Sequence, residues 1–208
     1  MKILKKDLLS IYDLNSKQIF ELVSYAKKLK KHPYSEKLKG KVFGLIFEKP
    51  STRTMVSFET AIAQAGGTPL VLDTQKLQTK RGESVYDTAK VLSRYLDGII
   101  IRAFKHGYVE EFATNADIPV VNALTDCEHP CQILADLMTI IEKIKVKNLK
   151  ELAKIKIVFV GDANNVFNSW LAAAAVTGLN FTLICPAQYF PKKDLLEKAL
   201  ITAAKTKA

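Results

Sequence analysis

The chain has 208 residues, 48% of them hydrophobic and 25% charged, a balance that fits a globular fold and excludes disordered, collagen-like and low-complexity classes. Lys and Arg number 31 against 21 Asp and Glu. The lysines are scattered over helix ends and loops without interleaved aromatics, so nucleic acid is not an expected partner. The 3 cysteines lack disulfide-scaffold spacing, no signal-like opening precedes the first helix, and no apolar run reaches about 18 residues. These features point to a cytoplasmic chain that neither crosses nor anchors to a membrane.

In chain order, a turn over 13–16 precedes a helix to residue 31, with Ile19, Leu22, Val23, Ala26 and Leu29 at helical spacing. Residues 42–47 (V-F-G-L-I-F) form a continuous apolar run of strand length, closed by Pro50. Ser51 and Thr52, both residue types that cap helices, then open a helical segment. Gly66-Gly67 breaks the chain before a short strand over 69–72, and 73–82 reads as a polar loop. A helix over 83–95 and a buried strand over 98–102 follow. Next come a helix over 106–115, a strand over 119–121, a loop over 122–128, and a helix from Pro130 to about residue 145.

A charged link over 145–150 marks a domain boundary, placed between residues 146 and 147. Beyond it lie a strand over 155–160, an Ala-rich helix over 165–177, a strand over 181–185 and a Lys-rich helix over 191–207. Strands alternate with helices throughout, so the fold class is parallel α/β. The first unit, 1–146, has the elements of a complete three-layer domain. The second, 147–208, offers only two strands, fewer than a doubly wound sheet needs, and reads as an incomplete Rossmann-like domain.

Three places carry candidate chemistry. At Ser51-Thr52-Arg53-Thr54, helix-start N–H groups, hydroxyls and a guanidinium suit a phosphate or carboxylate. The same residues also suit an ordinary capped helix. Arg102 ends its strand at the sheet edge where open α/β folds bind ligands. The turn Cys127-Glu128-His129-Pro130-Cys131-Gln132 spaces its Cys and His poorly for a tetrahedral metal. As a helix entrance it offers an imidazole to polarise a carbonyl and an amide to hold an NH₂ group. Arg53, Arg102 and His129 are expected at one sheet edge, a donor set for a phosphate ester or acyl phosphate. Gly161-Asp-Ala-Asn-Asn lacks the further glycines of a dinucleotide fingerprint. Asn164 or Asn165 is therefore expected to bind a small polar substrate.

Together Ser51-T-R-T with V-S-F-E59, Arg81-G-E-S, Asp87-T-A-K-V-L-S-R-Y95, Ile101-Arg102, His129-P-C-Q132 and Gly161-D-A-N-N resemble the aspartate/ornithine carbamoyltransferase family. The match is in register along essentially the whole chain, and the G-D-x-N-N turn resembles the ornithine branch. The resemblance implies carbamoyl transfer from carbamoyl phosphate to the δ-amine of ornithine, in a homotrimer or higher homo-oligomer with shared sites and no metal or organic cofactor. A non-catalytic carbamoyl-phosphate-binding or oligomerisation module is the alternative. By this likeness Arg53, Arg102 and His129 are catalytic. Ser51, Thr52, Arg53, Thr54, Gln78, Arg102, His129, Pro130, Cys131 and Gln132 bind carbamoyl phosphate, with Gln78 reaching a neighbouring subunit, and Asn165 contacts ornithine. Cys127 and Cys131 are expected to pack and not to attack. The family motif carries arginine where Met55 stands. Its D-x-x-x-S-M-G and H-C-L-P segments fall beyond residue 208, so the second domain is expected to be represented by its N-terminal part.

Overall fold

The computed structural model describes residues 6–73 and 82–206, so Gln78 and Arg81 lie outside the described residues. The chain divides into two compact units that cut across its linear order. Of the described residues, one unit comprises 6–9, 28–73 and 82–126; the other gathers 10–27 with 127–206. Helix α1 (Ser16–Lys31) begins in the latter and ends in the former.

In the unit built from 28–126, β1 (Val42–Phe47), β2 (Thr68–Leu72), β3 (Gly98–Arg102) and β4 (Val120–Leu124) form one fully parallel sheet. Their order across it is β2-β1-β3-β4. Alternation along β1 explains its two covered faces. Phe43, Leu45 and Phe47 pack with Phe58 and Ile62 of α2 (Thr52–Gln64). Val42 and Ile46 instead join Ala89 of α3 (Val85–Leu92) and Val109, Phe112 and Ala113 of α4 (His106–Asn115). The result is helix, sheet, helix: three layers. Gly98 is required where it stands, because a Cβ there would lie 2.8 Å from the Phe43 ring.

In this unit two elements depart from the sequence reading by more than one residue, and in the other a short helix over 149–152 stands where a charged link was expected. The strand expected over 119–121 runs on to Leu124, through residues read as loop. Asn122 is the reason: its side chain donates to the Leu9 carbonyl at 2.9 Å, which lets a fully buried amide sit in a strand. The same N-terminal segment pairs Leu8 with β4, Leu8 N–H donating to Val120 O at 2.9 Å, and so covers that edge. The helix expected over 83–95 is shorter, since Ser84 caps it by accepting from Asp87 N–H and it closes at Ser93.

The other unit carries α5 (Pro130–Lys143), α6 (Leu149–Leu152), β5 (Lys156–Val160), α7 (Asn165–Thr177), β6 (Asn180–Ile184) and α8 (Lys193–Thr206). Strands β5 and β6 pair in parallel. On one face Phe159 and Phe181 meet Phe167 of α7 at ring-centroid distances of 5.7 and 5.6 Å, and Trp170 stacks on Phe181. The opposite face is open, with Val160 75% and Ile184 56% exposed. Gly178 ends α7 in the left-handed conformation, φ 77°, that a helix C-terminus favours.

Candidate functional site

The strand order makes β1 and β3 neighbours whose connections depart in opposite directions, the switch point beside which open α/β sheets hold ligands. Two features meet there. Helix α2 starts directly after β1, with Ser51 as its cap at φ −161°, ψ 97°. Ser51 makes no capping hydrogen bond; its Oγ donates to Thr54 Oγ1 at 2.8 Å instead. The first-turn N–H groups of α2 are therefore not taken up by the cap side chain, and they sum with the helix dipole toward an anion.

Arg102, paired in register with Phe47, ends β3 and directs Nη1 to Thr54 Oγ1 at 3.4 Å. Its Nε is buried without a hydrogen-bond partner among the described residues. That burial holds the guanidinium below its usual pKa. A buried donor left unmet is costly, and an anion would satisfy it. Thr52 and Arg53 are exposed on the same helical turn, and Met55 is half-buried. Glu48 ties the two strand ends: its N–H donates to Arg102 O at 2.8 Å, and its carboxylate accepts from Phe104 N–H at 3.0 Å. Lys49 pairs with Asp126 and lies 4.4 Å above the Phe104 ring.

In the second unit, His129 is the cap of α5, at φ −137°, ψ 68°, and Pro130 takes the first helical position. The His129 N–H donates to Ser169 Oγ at 2.8 Å, and Asn168 Nδ2 donates to Cys127 O at 2.9 Å, so α7 holds the turn from behind. Gln132 is exposed, and its Nε2 donates to Asp136 Oδ1 at 2.8 Å. A carboxylate only accepts, so this bond takes up the amide nitrogen and leaves Oε1 to accept from a ligand NH₂. Part of Cys131 meets solvent, yet burial around its sulfur pushes the thiol up to about 12. At neutral pH it is a neutral thiol. Asn164 spends its side-chain oxygen capping α7, accepting from Val166 and Phe167 N–H, which leaves Asn165, half-buried at the first helical position, as the remaining candidate of that pair.

The structure thus brings Ser51, Thr54 and Arg102 together in one unit and sets His129, Pro130, Cys131, Gln132 and Asn165 on two helix entrances of the other. Glu48, Asp136, Glu128 and Ser169 support these residues and were not identified from sequence. Asp136 had a signal, four residues beyond Gln132 on a helix. Glu128 and Ser169 lie 41 positions apart, and no periodicity links them. Among the described residues no cluster of His, Cys, Asp and Glu is placed to hold a metal ion, and no helix is long and apolar enough to cross a membrane.

Comparison with known proteins adds the family. The family model for the carbamoyl-P binding domain of aspartate/ornithine carbamoyltransferase matches residues 6–142, and that for the Asp/Orn binding domain matches 153–208. The ornithine carbamoyltransferase of Bacillus thuringiensis subsp. konkukian is 47% identical over 207 residues, covering 100% of this chain and 64% of that protein. The solved ornithine carbamoyltransferase from Pyrococcus furiosus superposes with a TM-score of 0.89 at 41% identity, covering 100% of this chain and 66% of that one. The enzyme from Gloeobacter violaceus gives 0.85 at 42%, covering 100% and 67%. The chain spans 64% of the length of the curated relatives it matches. The chain belongs to the aspartate/ornithine carbamoyltransferase family.

Proposed function

We propose that this chain is a carbamoyltransferase that moves the carbamoyl group of carbamoyl phosphate to the δ-amine of ornithine, giving citrulline and phosphate, a step of arginine biosynthesis. The neutral amine attacks the carbonyl carbon and forms the new C–N bond. The C–O bond to phosphate breaks, the phosphate leaves with that electron pair, and the amine sheds a proton. Charge builds first on the carbonyl oxygen and then on the departing phosphate, so fixed donors for both are what the protein must supply.

One observation carries the reading: an uncapped helix start facing a guanidinium whose buried Nε has no partner among the described residues. In this proposal Ser51, Thr52, Arg53 and Thr54 cradle the phosphate with Arg102. Arg102 and His129 address the carbonyl oxygen, and Gln132, on the turn with Pro130 and Cys131, accepts from the carbamoyl NH₂. Asn165 contacts ornithine. Gln78, outside the described residues, reaches the phosphate of a neighbouring subunit in a homotrimer. The linear division into 1–146 and 147–208 is proposed with it, as carbamoyl-phosphate and ornithine segments.

Calorimetric titration with inorganic phosphate, beside an assay of citrulline formed from ornithine and carbamoyl phosphate, tests this. Arg102→Ala is expected to weaken phosphate binding by about thirtyfold, the loss of roughly 2 kcal/mol for hydrogen bonds to a charged group. Unchanged affinity in that variant overturns the cradle. Phosphate binding without citrulline assigns the chain to the binding-module alternative.

A further inference from the structure

Glu128 is 6% exposed, and the proposed chemistry does not use it. A carboxylate taken from water at such cost must be engaged by donors. Its Oε2 accepts from Ser169 Oγ–H at 2.6 Å, and its Oε1 accepts from Ser10 Oγ–H at 2.6 Å. Each serine is itself an acceptor: Ser169 Oγ from His129 N–H at 2.8 Å, Ser10 Oγ from Tyr12 N–H at 3.2 Å. Hydrogen-bond direction therefore runs inward along both arms and ends on the carboxylate. Each hydroxyl has one proton, and accepting from a backbone N–H leaves that proton for Glu128. Short O–H···O⁻ bonds in a poorly solvated place strengthen each other along such a chain. The neighbouring Tyr12 hydroxyl is pushed up to about 12, by burial first and by Glu128 second.

The arm through Ser169 ends on the residue proposed to address the carbamoyl oxygen. His129 caps α5 at a non-helical φ, ψ, where its N–H has no place in the helix ladder. Ser169, fully buried on α7, supplies the partner, and Glu128 fixes which way that hydroxyl points. We propose that Glu128, acting through Ser169, is a positioning residue that locks the backbone of His129 and so aims its imidazole at the carbonyl end of the ligand. This inference rests on the functional reading above. It assigns Glu128 no contact with substrate. Glutamine at 128 keeps the shape but offers one acceptor and one NH₂, so one of the two serines must turn its proton away.

The test uses the full chain and the variants Glu128→Gln, Ser169→Ala and Ser10→Ala, the last removing a hydroxyl from the same carboxylate but not from His129. Two ligands separate the two ends of the substrate: inorganic phosphate, and phosphonoacetamide, which adds the carbamoyl-like end. Amide hydrogen exchange at His129 reads the clamp without any ligand. Glu128→Gln and Ser169→Ala are expected to speed His129 exchange about tenfold and weaken phosphonoacetamide about tenfold, the equivalent of one buried hydrogen bond. Phosphate affinity should stay within about twofold, as for sites remote from a change. Ser10→Ala should lower the thermal midpoint and leave both readouts in place. Unchanged exchange and phosphonoacetamide affinity in either Ser169→Ala or Glu128→Gln overturn the proposal, as does equal weakening of both ligands in all three variants. A wild-type chain that binds neither ligand overturns the functional reading instead, and exchange alone then decides whether the clamp holds His129.

Discussion

Cys131 sets two residue-scale effects against each other. A thiol in the first turn of a helix is favoured as thiolate by the dipole, whereas a thiol surrounded by protein is favoured as neutral. Burial wins here, lifting it to about 12. Iodoacetamide at pH 8, followed by peptide mass spectrometry, should label Cys131 at least about a hundredfold more slowly than an ordinary thiol. Labelling at the ordinary rate would mean that the sulfur is reached by water. The placement of Ser51 and Thr54 at a helix start and of Arg102 at a strand end was legible in sequence because turn chemistry and a strand end announce it. Glu128 was not. A glutamate between a cysteine and a histidine reads as solvated, and only the fold brings two serines, one on either side in the chain, to its oxygens.

At the scale of elements, Asp97 joins the entry to β3 with the entry to β1. Its carboxylate accepts from Lys41 Nζ at 2.7 Å and from Val42 N–H at 2.9 Å, and its own N–H donates to Val42 O at 2.8 Å. The hydrogen bond from Lys41, then that from Val42, holds the carboxyl below its ordinary value of 3.8. The unfolded chain binds this proton more tightly than the folded one. The carboxylate therefore stabilises fully above the unfolded pKa, and the contribution is lost as pH falls through the lower folded value. Asp97→Asn should be less stable than the parent at pH 7, with the gap between their urea midpoints closing below about pH 4. A gap independent of pH would remove the carboxylate from the account. Strand and helix identities were readable from period and punctuation; their ends were not. Asn122 and Ser84 moved the limits of β4 and α3 through bonds to a distant carbonyl and to a local N–H, which hydrophobic period does not register.

For the whole molecule, sequence order and compactness divide the chain differently, because residues 10–27 pack with the part that begins at 127. A charged link is visible in one dimension, whereas a return of the N-terminus is not. The open face of the β5–β6 pair belongs to this scale too. Parallel sheets bury both faces as a rule, and here Val160 and Ile184 stand exposed side by side in register. Val160→Lys is expected to raise the concentration at which light scattering begins, with the thermal midpoint moved by no more than a few degrees. An unchanged onset would show that association proceeds elsewhere.

The bond from His129 to Ser169 also sets a schedule. Translation delivers the histidine first and its acceptor 40 residues later. At typical elongation rates that is a wait of about 2 to 8 seconds. Throughout it the turn ahead of α5 has its cap residue but not the hydroxyl that fixes it, and Glu128 lacks the donor that Ser169 supplies. The unit built from 28–126 can finish folding on the ribosome before the histidine turn acquires its final form.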